Sequence, residues 1–183
     1  MKVANEKQIT VLVDEAYYYF YPNTFIRYAL EGKHIFITRT FSKLFSMAGC
    51  RLGYVAGWPE GIKMVQKMCT PHNTNAFAML FAEKILTAPE IIDGLIKNFQ
   101  AGREYLISWL DAHGYQHKGE AGNFIFIKPK TNAQTITDRM KQDKKILIKT
   151  YEGVGNFGTC LRVSIGEKKY MERFTQALQE LDV

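Results

Sequence analysis

The sequence predicts an α/β fold: the end of an open, largely parallel sheet followed by a smaller α+β lobe. Three observations predict it. The apolar, β-branched runs Ile9–Val13 and His34–Thr38 stop abruptly at polar residues, as strands buried on both faces of a parallel sheet do. A stretch with helical period opens at Pro89 and runs to about His113, long enough to support two lobes. After Gly114 the pattern changes to short strand-like runs alternating with amphipathic helices. The expected division is 1–72 and 73–183, the second part holding connecting helices and the small lobe.

In chain order, Ile9–Val13 ends in Asp14-Glu15 and leads into an aromatic cluster, Tyr17–Tyr21, closed by Pro22. Asn23 or Thr24 caps a short helix to Leu30, with Gly32 just past its end. The second strand, His34–Thr38, is followed by a third, Leu52–Ala56. Pro59 opens a helix through Met68, since proline suits a first helical position, and Thr70-Pro71-His72-Asn73 breaks it. Asn75 begins an apolar helix through Leu86. Along the long helix, Ile92, Leu95, Ile96, Phe99, Leu106 and Leu110 share one side, and Gly114 sits where a left-handed cap belongs. Asn123–Ile127, Ile146–Ile148 and Leu161–Ile165 read as strands. Thr131 or Asn132 caps a helix to about Gln142. Glu167–Leu181 closes the chain as a helix with Tyr170, Phe174, Leu178 and Leu181 inward.

Composition narrows the classes. The 183 residues are 46% hydrophobic and 23% charged, as in a soluble globular protein with a real core. Lys and Arg number 24 against 18 Asp and Glu, a net charge of +6. These charges are dispersed, without the basic and aromatic interleaving of a nucleic-acid surface, and a mild positive field suits an anionic cofactor or substrate. No apolar run is long enough for a bilayer. Cys50, Cys69 and Cys160 are odd in number and widely spaced, as free thiols of a reducing cytoplasm are. The polar N-terminus lacks a signal-peptide core, so the expected location is cytoplasmic. His34, His72, His113 and His117 have no metal-ligand spacing, and no Ser-His-Asp order stands out. Gly153-Val154-Gly155-Asn156-Phe157-Gly158 lacks the strand before and helix behind of a phosphate-binding turn and reads as a loop or hairpin.

The chemistry-bearing residues cluster after strand ends, where open α/β sheets bind ligands. Lys43 follows the second strand, between Phe41 and Leu44-Phe45, beside the hydroxyls of Thr40 and Ser42. A lysine that is desolvated or close to another cation loses its proton more readily and so can form a Schiff base. Arg51 offers a planar fork for phosphate oxygens, or else a surface ion pair. Asp14 is expected in an apolar interior, where a buried carboxylate needs a partner such as a protonated pyridine nitrogen; the alternative is a loop cap. Tyr17 either packs or donates to a phenolic oxygen. An amine, an anion, a phenol, two hydroxyls and a guanidinium together suit pyridoxal 5'-phosphate (PLP). Arg162 lies inside an apolar strand and either snorkels outward or faces an anion in a cleft; Asn123 faces the same cleft or starts a turn.

Four segments then carry a family resemblance: Val13-Asp14-Glu15-Ala16-Tyr17, Thr40-Phe41-Ser42-Lys43, Ala48-Gly49-Cys50-Arg51-Leu52-Gly53-Tyr54 and Leu161-Arg162-Val163-Ser164. Their order and spacing resemble class I/II PLP-dependent aminotransferases of fold type I, nearest the histidinol-phosphate aminotransferase branch. The resemblance spans nearly the whole chain but only the second half of the family's pattern, so a fragment is expected. It implies a PLP-binding large-domain end over 1–72 and a small domain within 73–183. It implies Lys43 as the catalytic Schiff-base lysine, Asp14 at the pyridine nitrogen and Tyr17 at the phenolic oxygen. Thr40, Ser42 and Arg51 would hold the cofactor phosphate. Arg162 and Asn123 would line the substrate cleft. The implied reaction is amino transfer between an amino acid or histidinol phosphate and a 2-oxo acid, in a cytoplasmic homodimer of amino-acid biosynthesis. The alternatives are a non-catalytic domain that needs the absent half, or a decarboxylase of a phosphorylated amino acid.

Overall fold

The computed structural model describes residues 2–71 and 73–183, without the side chain of Asn5. His72, part of the expected helix break, lies outside the described residues. The chain divides into two compact units, Met1–Asp93 and Gly94–Val183. The division falls inside a helix, later than the expected 72/73, and gives the apolar helix that starts after Asn75 to the first unit.

The first unit opens with helix α1 (Lys2–Glu6) and holds a three-stranded sheet of β1 (Val11–Asp14), β2 (Ile35–Thr40) and β3 (Gly53–Ala56). β1 and β2 run parallel, with Asp14 in register with Thr38; β3 returns antiparallel to β2, with Gly53 opposite Thr40. Helix α2 (Ile26–Glu31) links β1 to β2 and buries Ala29 against Ile35 and Ile37, with Val13 and Ile26 alongside. Thr24 Oγ1 accepts from Ile26 N, and Gly32 ends the helix in extended rather than left-handed backbone. Gly53 is required by close approach: a Cβ there would stand 2.8 Å from the Arg39 carbonyl oxygen. Helix α3 (Pro59–Gln66) starts on its proline as expected. Helix α4 (Ala76–Leu86) is capped by the Asn75 side chain, which accepts from Ala78 N at 3.1 Å.

The cap expected of α2 at Asn23 or Thr24 falls instead on Phe25, and the burial expected of β1 is not met either. β1 is not buried on both faces: it is an edge strand, and Leu12 is 65% exposed. The face carrying Val13 is covered by α2, whereas Leu12 and Asp14 on the alternate face are exposed.

Helix α5 (Pro89–Ala112) leads into the second unit and ends, as expected, at a left-handed Gly114. There β4 (Gln116–Lys118), β5 (Phe124–Lys128), β6 (Lys149–Tyr151) and β7 (Cys160–Ser164) form an antiparallel sheet in the order β4-β5-β7-β6. Helices α6 (Ala133–Asp143) and α7 (Lys168–Leu181) join α5 in covering its inner face. Ile125 and Ile127 alternate inward from β5 and Leu161 and Val163 from β7. They meet Leu106 and Leu110 of α5, Ile136 and Met140 of α6, and Phe174 and Leu178 of α7. Each such side chain contributes about 1.5–3 kcal/mol by leaving water. Asn132 caps α6 by accepting from Thr135 N.

Two further expectations are corrected. Ile146–Ile148 forms no ladder; the strand is the next segment, Lys149–Tyr151. Ile146 N instead donates to Met140 O at the end of α6, and Ile146 and Ile148 pack on the core while Leu147 points out. Tyr170 is exposed, and Met171 takes the inward place in the series Met171, Phe174, Leu178, Leu181. The segment Gly153–Gly158 is a loop with a 3-10 turn at Gly155–Phe157. Among the described residues, no helix is long and apolar enough to cross a membrane.

Candidate active site

The parallel pairing of β1 with β2 brings two polar strand ends together. Asp14 closes the run Val11-Leu12-Val13, and Thr38 stands beside it in register after Ile35-Phe36-Ile37. Thr38 Oγ1 donates to Asp14 Oδ1 at 3.2 Å, and Ala16 N donates to the same oxygen at 3.0 Å. Thr40 follows two residues after Thr38, on the same side of β2 by strand alternation. Its hydroxyl accepts from Ser42 N at 3.1 Å and so turns the chain at the end of the strand.

Lys43 sits on that turn. Ser46 N donates to Lys43 O, and Met47 N returns to Phe41 O, closing a compact loop. Phe41, Leu44 and Phe45 are buried, while Lys43 is half-buried, so the loop's apolar residues anchor it. Lys43 Nζ lies 5.3 Å from the centre of the Tyr17 ring. The loop ends in a 3-10 turn, Ala48–Cys50, and Arg51 follows in left-handed backbone. Arg51 Nη1 donates to Ala48 O at 3.1 Å.

Asp14, Ala16, Thr38, Arg39, Thr40, Ser42, Lys43 and Arg51 line one cleft of about 310 Å³. Five residues expected from sequence, Asp14, Thr40, Ser42, Lys43 and Arg51, therefore share a cavity. Tyr17 lines an adjoining cleft that also includes Asp14. One expectation is overturned: Asp14 is exposed, not held in an apolar interior, because β1 is an edge strand with an uncovered face.

The buried carboxylate is its neighbour Glu15, which sequence reasoning passed over. Glu15 Oε2 accepts from Arg39 Nε and Nη2, and Phe25 N donates to Oε1 at 2.6 Å. The Thr24 hydroxyl donates to this carboxylate and accepts from Arg39 Nη2. Arg39 also stacks on Tyr18, 3.6 Å from the ring centre. Although burial opposes its charge, the hydrogen bond to Glu15 and the nearby Tyr54 raise the Arg39 pKa above its ordinary value. The pair ties the ends of β1 and β2 to the loop that carries Tyr17. Glu15 and Arg39 each follow, by one residue, a member of the Asp14–Thr38 pair, a register that the structure supplies.

Arg162 and Asn123 belong to the second unit. Arg162, on β7, lies between the strands β5 and β6, 4.0 Å from the Phe124 ring centre and 5.7 Å from that of Tyr151. It makes no ion pair among the described residues. Asn123 precedes β5, and its main-chain carbonyl accepts from Ile165 N at 2.8 Å.

A histidinol-phosphate aminotransferase from Citrifermentans bemidjiense is 31% identical over 171 residues, 93% of this chain and 49% of the relative. The chain thus spans about half the length of the curated relatives it matches. The solved histidinol-phosphate aminotransferase from Clostridium acetobutylicum superposes with a TM-score of 0.82 at 24% identity, over 99% of this chain and 56% of that one. That from Sinorhizobium meliloti, solved in complex with pyridoxal-5'-phosphate, gives 0.81 at 23%, over 94% and 48%. These two likenesses show the shared fold, that of PLP-dependent aminotransferases. A sequence profile of the family described as aminotransferase class I and II matches residues 1–178, so the chain belongs to that family.

Proposed function

We propose that this chain provides the lysine-bearing half of a PLP-dependent aminotransferase. Its reaction moves an amino group between an amino acid or histidinol phosphate and a 2-oxo acid. The observation that carries the reading is the single cleft lined by Asp14, Thr40, Ser42, Lys43 and Arg51. Its donor set fits the cofactor: hydroxyls and a guanidinium for a phosphate, an amine for an aldehyde, and a carboxylate for a protonated ring nitrogen.

When bound, PLP supplies an electron sink for charge developing at the substrate α-carbon. The residues of the chain supply the rest. Thr40, Ser42 and Arg51 would hold the phosphate, the arginine with the donors it does not spend on Ala48 O. Asp14 would keep the ring nitrogen protonated, and Tyr17 would donate toward the phenolic oxygen. Lys43 would take the proton from the substrate α-carbon and hold it for return, as a general base and then a general acid. Arg162 would hold the anionic end of a substrate, and Asn123 would line a substrate cleft. In this reading 1–72 is the end of the large domain and 73–183 holds the connecting helices and small domain. The active species is a homodimer serving amino-acid biosynthesis in the cytoplasm. The names of the relatives support histidinol phosphate as the amino donor.

The test adds PLP to the chain together with the half of a relative that it does not span. A visible absorption band that borohydride traps on Lys43, located by peptide mass spectrometry, is expected. Lys43→Ala should abolish the adduct. A folded complex that never forms it overturns the assignment. Carbon dioxide release in place of a 2-oxo product from a phosphorylated amino acid would replace transamination by decarboxylation.

A further inference from the structure

The segment Ile146–Ile148 has the composition of a strand, yet the ladder between β6 and β7 stops at Lys149 opposite Arg162. Continued, the antiparallel register would set Ile148 against Val163 and Leu147 against Ser164. Instead Ile146 and Ile148 turn onto the core, and the two stretches part. A cavity of about 210 Å³ lies where they part, bordered by the first turns of α7. Ile146, Ile148, Val163, Met171 and Phe174 give it apolar walls. Every lining residue belongs to the second unit, and neither Arg162 nor Asn123 is among them.

Three donor groups border this apolar space. Arg173 spends Nη2 on Lys144 O at 2.7 Å and keeps Nε and Nη1. Lys145 Nζ donates to Gln142 O at 2.8 Å and has two further donors. Neither cation makes an ion pair among the described residues. The third donor is the Ser164 main chain. Ile165 N donates to Asn123 O on the β5 side, and main-chain groups of successive strand residues alternate sides. The Ser164 N–H therefore points toward the β6 side, where the ladder has already ended. No carboxylate lines the cavity, and Glu180, which borders the neighbouring cleft with Arg173, is engaged by Lys144. Lys145 also stands in left-handed backbone, φ 55°, where glycine is the residue of least strain. The chain accepts that strain and gains a cation beside the cavity.

We propose that the cavity between Ile146–Ile148 and the end of β7 binds a free monocarboxylic acid with a short apolar tail. The carboxylate meets Arg173, Lys145 and the Ser164 N–H, and the tail lies against Ile148, Val163 and Phe174. Charge selects the head group: two unpaired cations and no anion call for an anion, and the planar guanidinium matches a carboxylate. Apolar walls select the tail. Size limits it to a few carbons, since drug-sized ligands occupy pockets of about 300–1,000 Å³.

The test titrates hexanoate into the 183-residue chain at neutral pH and reads binding by calorimetry and by amide shifts in NMR spectra. Saturable binding with a dissociation constant below about 1 mM is expected, with shifts at Ile148, Val163 and Ser164. Acetate, which lacks the tail, and hexanamide, which lacks the charge, should each bind at least about tenfold more weakly. Lys145→Gly removes the amine from a backbone that glycine prefers, so the fold is kept, and should weaken hexanoate at least about threefold. Combined with Arg173→Gln, the loss should reach at least about thirtyfold. Lys141→Gln, on α6 and outside the lining, should leave the affinity unchanged. Circular dichroism checks the fold of each variant. The proposal is overturned if hexanoate fails to saturate the chain, if acetate or hexanamide binds as well, or if the double variant binds hexanoate as the parent does. An N-acetylated tripeptide ending in leucine that binds more tightly than hexanoate would put a polypeptide terminus in place of the free acid and overturn it too. None of these readouts involves PLP or amino transfer. Failure here leaves the proposed function standing, and failure to trap PLP on Lys43 leaves this site standing.

Discussion

Arg39 presents two donors to one oxygen of Glu15, Nε at 3.0 Å and Nη2 at 2.9 Å. The carboxylate side chain is 4% exposed and the guanidinium 12%. Removing Arg39 takes the cation from a buried carboxylate that keeps its hydrogen bonds from the Thr24 hydroxyl and Phe25 N. Arg39→Ala should therefore destabilise the first unit by about 3–5 kcal/mol. Replacing both partners, as Arg39→Met with Glu15→Leu, should cost much less. Urea unfolding of the three variants checks the order, and an Arg39→Ala cost under about 1 kcal/mol would show that the pair is solvated.

Tyr115 gives a pH dependence of definite sign. Burial first, and then the charge and hydrogen bond of Asp182, push its phenol well above its ordinary pKa of 10.0. The folded state keeps the proton that the unfolded chain releases. The resulting stability is fully present below the unfolded value and is lost as pH rises from there toward the folded one. Stability of the second unit should fall between about pH 10 and pH 12, and Tyr115→Phe should flatten that fall. Chemical unfolding at a series of alkaline pH values measures it.

Cys50 and Cys69 are exposed, whereas Cys160 is fully buried in β7. Burial raises the Cys160 thiol pKa and so disfavours the reactive thiolate. A thiol reagent should titrate Cys50 and Cys69 quickly and reach Cys160 only on addition of denaturant. Fast labelling of Cys160 in the folded protein would show local opening of the β-sheet.

Gly102 of α5 fits against the turn before α7. A Cβ at this position would come 1.9 Å from the Gly166 carbonyl oxygen, a backbone atom that cannot rotate away. Gly102→Ala should cost about 1–3 kcal/mol by overpacking, against its better helix propensity. Gly94→Ala, where the added methyl meets nothing within 4 Å, is the control and should be neutral or stabilising. Thermal melts of the two variants separate the effects.

Much of this was legible because it is local. The period of Pro89–Ala112, the proline opening α3 and the asparagine caps of α4 and α6 fixed those helices to within a residue or two. The cleft residues were legible as polar side chains following strand ends. What the sequence did not disclose is non-local. An apolar run such as Ile146–Ile148 has the composition of a strand whether it joins a ladder or packs on a helix end. The exposure of Asp14 depends on whether anything covers β1, and the Glu15–Arg39 pair depends on β1 and β2 lying in parallel register. Tyr170 and Met171 are adjacent apolar residues, and only the packing of α7 decides which faces in.

The neighbours of Arg162 have a last consequence. With the Phe124 ring on one side and Tyr151 on the other, its long side chain has little room to sway across the sheet. That freedom is surrendered during folding, before any ligand arrives. An anion reaching this face meets a preorganised fork, and almost none of the free energy of contact is spent on holding the side chain still.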